Sequence, residues 1–188
     1  GPKLMSTSLN DKAYGHLKSL KLDAFELAAE SREEQILRYA NNVVGQATAR
    51  SLTSLKIKLW VHGGRSNLSF RGDDAQELIQ RIDEAVARAK TSAETGFGWE
   101  VPQLAESDDL ELQKERCDPK ITEALQSSGS ISNGLTPFFS RAAADKVELA
   151  GRLNMGVRHS TLMNSAGLCR EFRSTNGHVQ AIAVEPSD

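Results

Sequence analysis

The stretch from Lys56 to Arg71, KIKLWVHGGRSNLSFR, alternates apolar with polar or cationic side chains on both sides of a Gly-Gly pair. Gly63-Gly64 can supply the positive φ angles of a tight turn, so the stretch predicts a β-hairpin. Folding about that turn gives four cross-strand pairs: Lys56–Arg71, Lys58–Ser69, Trp60–Asn67 and His62–Arg65. Because side chains alternate along a strand, one face of this hairpin is expected to be apolar and the other cationic.

The cationic face predicts a polyanion-binding surface. Like charges placed opposite each other destabilise a sheet, so a Lys56–Arg71 pair favours a bound anion. A two-stranded ribbon fits the major groove of DNA, where Lys and Arg contact guanine or phosphate and Asn contacts adenine. An aromatic such as Trp60 can stack on an exposed base. The predicted nucleic-acid-binding residues are Lys56, Lys58, Trp60, His62, Arg65, Asn67, Ser69, Arg71 and Arg50.

The charge distribution supports binding more than the total charge does. The formal net charge is −2. Residues 35–72 contain no Asp or Glu and carry six Lys or Arg, whereas residues 94–123 carry nine acids and three bases. Segregation of this kind creates local fields that a small net charge conceals.

Helical periodicity dominates the rest of the N-terminal half. Apolar residues recur at steps of three and four over residues 11–29, 32–49 and 74–90, which predicts three amphipathic helices. Ser31 with Glu34, and Asp74 with Glu77, have the spacing of helix-capping residues.

The C-terminal part is expected to be helical as well, with a hairpin at its end. Thr136-Pro137 is typical of a helix start, and the helix would run to about residue 157. A further helix is expected near Leu162–Cys169, and Asn176-Gly177 predicts a turn between two final strands.

These elements predict an α+β, mostly helical fold in which a β-ribbon packs on amphipathic helices, in the manner of a ribbon-helix-helix protein. The expected organisation is a vector-derived scar with the native start at Met5, followed by four regions. The boundaries are 1–4 for the scar, 5–50 for an N-terminal helical region, 51–91 for the ribbon and its helix, 92–135 for an acidic connecting segment, and 136–188 for a C-terminal helical region with a terminal hairpin.

No residue pattern indicates catalysis or a cofactor. The four histidines lack metal-ligand spacing, and no phosphate-binding glycine loop occurs, so neither a metal site nor a cofactor is expected. No apolar run approaches the roughly 20 residues of a membrane span, and no signal peptide is recognised. Two distant cysteines are typical of a reducing compartment. We therefore expect a cytoplasmic, non-enzymatic protein with neither a membrane nor a small-molecule substrate as partner.

The ribbon Lys58–Arg65, the helix after it and the later Phe139–Ala143 stretch resemble the AcaB-like transcriptional regulators of conjugative plasmids and integrative elements, over about residues 50–170. The resemblance implies a homodimer or tetramer that binds double-stranded promoter DNA and activates or represses transfer genes. A ribbon-helix-helix ribbon takes one strand from each of two chains, whereas Gly63-Gly64 indicates a hairpin within one chain, so both pairings stay open.

Two alternatives to a DNA-binding regulator follow from the same residues. One is an RNA- or single-strand-binding module that uses Trp60 as a stacking platform. The other is a protein-interaction or scaffolding subunit whose cationic ribbon meets an acidic partner. Preference for single strands over duplex DNA in a competition experiment would indicate the single-strand-binding module. Salt-sensitive self-association without nucleic acid would indicate the protein-interaction subunit.

Overall fold

The residues that the structure describes form a five-stranded antiparallel sheet and four helices. The computed structural model describes residues 5–96, 98–106, 116–127 and 130–185. The strand order is β3-β2-β1-β4-β5. In chain order the elements are α1 (Met5–Ser19), β1 (Ala24–Ala40), β2 (Val43–Val61), β3 (Gly64–Arg71), α2 (Ala75–Glu94), α3 (Pro119–Gln126), α4 (Ser130–Ala144), β4 (Glu148–Asn164) and β5 (Cys169–Val184).

The predicted mostly helical, ribbon-helix-helix-like fold is wrong, because more of the described residues lie in strands than in helices. The expected helix over residues 32–49 is instead the end of β1, a turn and the start of β2. Asn41 and Asn42 form that turn, with φ angles of 52° and 58°. Two consecutive residues with positive φ suit a type I′ hairpin turn, which Asn tolerates better than most residues.

The C-terminal helices and the terminal hairpin are also wrong in large part. Helix α4 begins seven residues before Pro137 and ends at Ala144, and β4 replaces the rest of the expected helix. The Leu162–Cys169 stretch holds the end of β4, a turn and the start of β5. Strand β5 then continues through Asn176-Gly177 without turning. The expected vector scar at 1–4 lies outside the described residues. So do residues 97, 107–115 and 128–129 of the acidic connecting segment expected over 92–135.

The chain divides into two compact units, which we call unit 1 and unit 2. Unit 1 comprises Gly1–Ser31, Leu52–Lys114 and His159–Phe172. Its core joins α1 and α2 to the sheet, and it contains Leu9, Ala13, Leu17, Phe25, Leu27, Ala29, Leu55, Ile57, Leu59, Val61, Leu68, Phe70, Leu78, Ile82, Ala85, Ala89 and Met163. Between the two helices, His16 Nε2 lies 2.7 Å from Asp83 Oδ1.

Helix α2 confirms the helix predicted over residues 74–90. The helix predicted over residues 11–29 is confirmed only as far as Ser19, where α1 ends, and is wrong from Ala24, where β1 begins. Asp74 caps α2, and its carboxylate accepts hydrogen bonds from the backbone N–H groups of Gln76 and Glu77 at 2.9 and 3.2 Å. These bonds satisfy donors that have no partner inside the helix. Every fully buried residue of α2, which are Leu78, Ile82, Ala85 and Ala89, belongs to the apolar stripe seen in the sequence.

Unit 2 comprises Arg32–Ser51, Glu115–Arg158 and Arg173–Asp188. A smaller core of Leu37, Tyr39, Ile131, Leu135 and Leu153 joins α4 to the strands. The Tyr39 and Phe139 rings pack with their centroids 5.3 Å apart. The Tyr39 hydroxyl donates a hydrogen bond of 2.8 Å to the Gln180 carbonyl on β5.

Candidate functional site

The hairpin made by β2 and β3 exists within one chain, and its turn lies one residue earlier than expected. His62 and Gly63 are the central residues, with φ angles of 50° and 78°, and Val61 pairs with Gly64 to close the turn. Positive φ at both central positions is the geometry of a type I′ turn, whose twist matches that of the flanking strands. Gly63 therefore provides the turn, whereas Gly64 belongs to β3.

The predicted register of the hairpin is wrong by two residues. The expected pairs were Lys56–Arg71, Lys58–Ser69, Trp60–Asn67 and His62–Arg65. The observed pairs are Ser54–Arg71, Lys56–Ser69, Lys58–Asn67 and Trp60–Arg65. A slip of two preserves the side of the sheet on which each residue lies, because the side-chain period is two. The like-charge Lys56–Arg71 pair is absent, so the sheet needs no anion to relieve it.

The two faces of the hairpin have the predicted character. Leu55, Ile57, Leu59 and Val61 on β2, with Leu68 and Phe70 on β3, are buried in the core of unit 1. The opposite side, which we call the outer face, consists of Ser54, Lys56, Lys58, Trp60, Arg65, Asn67, Ser69 and Arg71. Lys56, Lys58, Asn67, Ser69 and Arg71 are exposed there, and His62 is exposed in the turn.

Trp60 cannot act as the predicted stacking platform, because only 4% of it is exposed. Its ring lies beside Arg65, whose guanidinium carbon is 5.7 Å from the Trp60 centroid and 5.2 Å from that of Trp99. Such distances allow cation–π attraction. The backbone N–H of Trp99 also donates a hydrogen bond of 2.8 Å to the Gly63 carbonyl. Arg65 is therefore held by two aromatic rings of its own chain.

Trp99 is the residue of this surface that the sequence did not assign to it. It follows α2 in a segment without regular secondary structure and is 48% exposed. The one available signal was an aromatic residue beside glycines in a connecting segment, which indicates anchoring but does not say to what.

Arg50 is also unlike the free cation that was expected. It belongs to unit 2, where its Nη2 and Nε lie 2.6 and 2.7 Å from Oε2 of Glu34. The Glu34 side chain is only 4% exposed, and Arg32 Nη1 is 3.4 Å from its other oxygen. A buried carboxylate needs such partners, so Arg50 stabilises Glu34 rather than standing ready for phosphate.

The cations left on the outer face are Lys56, Lys58 and Arg71. None forms an ion pair with another residue in the described part of the chain. Neighbouring positions on one face of a strand lie about 6.6 Å apart, and diagonal positions across a pair about 7 to 8 Å. The three charges therefore occupy one small patch on one face of the hairpin, which we call the cationic patch.

Other features of the described residues that bear on function are possible metal ligands, cysteine thiols and long helices. Over residues 5–96, 98–106, 116–127 and 130–185, no group of three or more His, Cys, Asp or Glu side chains could hold a metal ion. Cys117 and Cys169 are not joined in a disulfide. Across those same ranges, no helix has both the length and the apolar character of a membrane span.

Solved structures similar to this chain are described as candidate modulators of DNA gyrase and as TldE. The Thermotoga maritima modulator has a TM-score of 0.64 and 17% identity, covering 96% of this chain and 40% of its own. The Bacteroides thetaiotaomicron modulator has a TM-score of 0.64 and 15% identity, and the match covers 91% of this chain and 38% of that protein. TldE from Thermococcus kodakarensis has a TM-score of 0.57 and 13% identity, and the match covers 97% of this chain and 43% of TldE.

The likeness is one of fold. The chain spans about two fifths of the length of these proteins. No family model and no curated protein matches the sequence.

These findings overturn the resemblance to AcaB-like regulators, since all three structures have the gyrase-modulator or TldE fold and none is a ribbon-helix-helix protein. The expected function as a sequence-specific transcription regulator of conjugative transfer is wrong for the same reason. The short stretches on which the resemblance depended, Lys58–Arg65 and Phe139–Ala143, fall on a strand hairpin and a helix that many folds contain.

Proposed function

We propose that this chain is a non-catalytic protein-interaction module that binds an acidic surface of a protein partner through the cationic patch. The observation that carries the proposal is the exposure of Lys56, Lys58 and Arg71 on one face of a hairpin whose other face is anchored in a core. The backbone that carries these side chains is already paired in the hairpin, so little backbone order is lost when a partner arrives.

A protein partner suits this patch better than a nucleic acid does. Nucleic-acid-binding domains are usually strongly basic, whereas this chain has a net charge of −2 and an isoelectric point near 6.1. Base stacking needs an accessible aromatic ring, and Trp60 is buried. Three cations would release few counterions from DNA, which limits non-specific affinity. Acidic side chains of a protein can match a small patch without these requirements.

The names of the similar structures favour the same class of partner. Two of them are described as candidate modulators of DNA gyrase, which is a protein target. We extend that description to this chain and take purified gyrase as the first partner to test. Two cysteines that form no disulfide suit a reducing compartment, so the proposal locates the interaction in the cytoplasm.

The test is the affinity of the chain for gyrase without DNA, with Lys56→Glu, Lys58→Glu and Arg71→Glu combined in one variant. Each exposed ion pair contributes up to about 1 kcal/mol, so reversal of three charges should weaken binding at least tenfold at low salt. The wild-type affinity should also fall as salt rises, since exposed pairs are screened. Biolayer interferometry at two salt concentrations measures both effects.

A matched control reverses three exposed cations on the helices of the same unit, Lys12→Glu, Arg88→Glu and Lys90→Glu. The change in net charge is identical, so this variant should bind as wild type does. An equal loss in both variants would mean that net charge alone governs binding, which would contradict the proposal. Binding to duplex or single-stranded DNA but not to gyrase would assign the patch to nucleic acid instead.

A further inference from the structure

Among the described residues, strand β5 forms one edge of the sheet. It is the last strand in the sheet, with β4 as its one neighbouring strand. From Asn176 to Val184 every residue is exposed. Val179, Ile182 and Val184 have 61%, 57% and 48% of their surface in solvent. We call Asn176–Val184 the outer β5 segment.

The same edge already accepts a main-chain partner just before this segment. Arg116 forms a parallel bridge with Ser174. Its N–H donates to the Arg173 carbonyl at 3.2 Å, and its carbonyl accepts from the Thr175 N–H at 2.9 Å. An extended piece of the chain therefore covers the edge at residues 173–175, and Ile121 of α3 lies beside Gly177 at the start of the outer β5 segment.

The outer β5 segment lacks the features that protect an edge strand from pairing. Natural edges are usually blocked by charges, prolines, bulges or a covering element. Residues 174–184 contain no Lys, Arg, Asp, Glu or Pro. Exposed valine and isoleucine with a row of main-chain donors and acceptors favour an added strand.

We propose that the outer β5 segment pairs with the same segment of a second copy, antiparallel about a two-fold axis. A two-fold contact uses the same surface on both copies and closes at a dimer. Because the segment bears no formal charge, self-pairing brings no like charges together, and the valine and isoleucine side chains of the two copies become neighbours. Pairing through a strand edge is a small interface, so we expect a dissociation constant in the roughly micromolar range.

The test is the oligomeric state of the 188-residue chain with Val179→Lys and Ile182→Lys combined. Sedimentation velocity over roughly 1 to 500 μM brackets a micromolar constant. Wild type should pass from monomer to dimer. The variant should dimerise at least tenfold more weakly, because side chains alternate along the strand and each face of the paired edge would then carry one lysine from each copy. Dimerisation should change little with salt, unlike binding through the cationic patch.

The control places the same two lysines on β2 at Val43 and Leu52, which are 62% and 49% exposed. This variant should dimerise as wild type does. Wild type that stays monomeric at every concentration would overturn the proposal. So would a β5 variant that dimerises as strongly as wild type, or a β2 control that no longer dimerises. If the β5 double variant unfolds, Val184→Lys at the end of the strand tests the same contact. A dimer unchanged by that substitution would count against the edge.

Discussion

Replacement of Gly64 by alanine is expected to lower the free energy of unfolding by about 3 kcal/mol or more. A Cβ at Gly64 would overlap the Ala89 carbonyl oxygen, lie 2.7 Å from that carbonyl carbon, and lie 3.0 Å from the Ala93 nitrogen. These are backbone atoms of α2, so no side-chain rotation can relieve the overlap. The entropy that alanine gains over glycine is at most about 1 kcal/mol, and the clash exceeds it.

Urea denaturation followed by circular dichroism measures this loss. The matched control is Gly45→Ala on β2, where a Cβ would meet nothing within 4 Å. That substitution should leave stability unchanged or raise it slightly. Equal stability of the Gly64→Ala protein and wild type would show that α2 does not contact the start of β3.

Gly151→Ala should destabilise unit 2 by roughly 2 kcal/mol or more. A Cβ at Gly151 would overlap the Gln180 carbonyl oxygen and lie 2.8 Å from the Tyr39 hydroxyl. The alanine would therefore push apart β4 and β5 and also break the hydrogen bond that Tyr39 donates to Gln180. Both effects act on the strand that carries the proposed dimer contact.

Tyr39→Phe separates the two effects, because it removes the hydrogen bond and leaves the backbone spacing intact. Loss of one such bond costs about 1 kcal/mol, so this variant should be less damaged than Gly151→Ala. Thermal unfolding of wild type, Tyr39→Phe and Gly151→Ala measures the order of their stabilities. A Tyr39→Phe protein less stable than Gly151→Ala would contradict the close approach of β4 and β5.

The sequence predicted the parts of the fold in which local and tertiary preferences agree. Asp74 and the apolar stripe after it are strong helix signals, and the helix buries that stripe. The hairpin faces follow from a period of two, so they survive the error in register. The position of the turn could not be predicted in the same way, because it depends on a positive φ at His62, which is not a glycine.

Strand β1 could not be predicted locally. Its sequence, AFELAAESREEQILRYA, is rich in alanine, glutamate, leucine and arginine, all of which favour helices. Its place between β2 and β4 makes it a strand, since sheet formation depends on neighbours that are distant in sequence. Gly151 likewise makes room for the Gln180 backbone, which is 29 residues away in the chain.

The cationic patch was predictable as a composition but not as a site. Exposure of Lys56, Lys58 and Arg71 follows from strand alternation. The commitment of Arg50 to Glu34, and of Arg65 to Trp60 and Trp99, depends on tertiary contacts that no local pattern encodes. The structure thus reduces nine expected binding residues to a smaller set of free charges.

The position of the two tryptophans gives the protein a built-in optical label. Trp60 and Trp99 are the chain's only two tryptophans, and both belong to unit 1, beside the same guanidinium group. Indole emission therefore reports on unit 1, while backbone ellipticity reports on both units. Coincident denaturation curves from the two signals would mean that the units unfold as one cooperative system, and separate curves would give each unit its own stability.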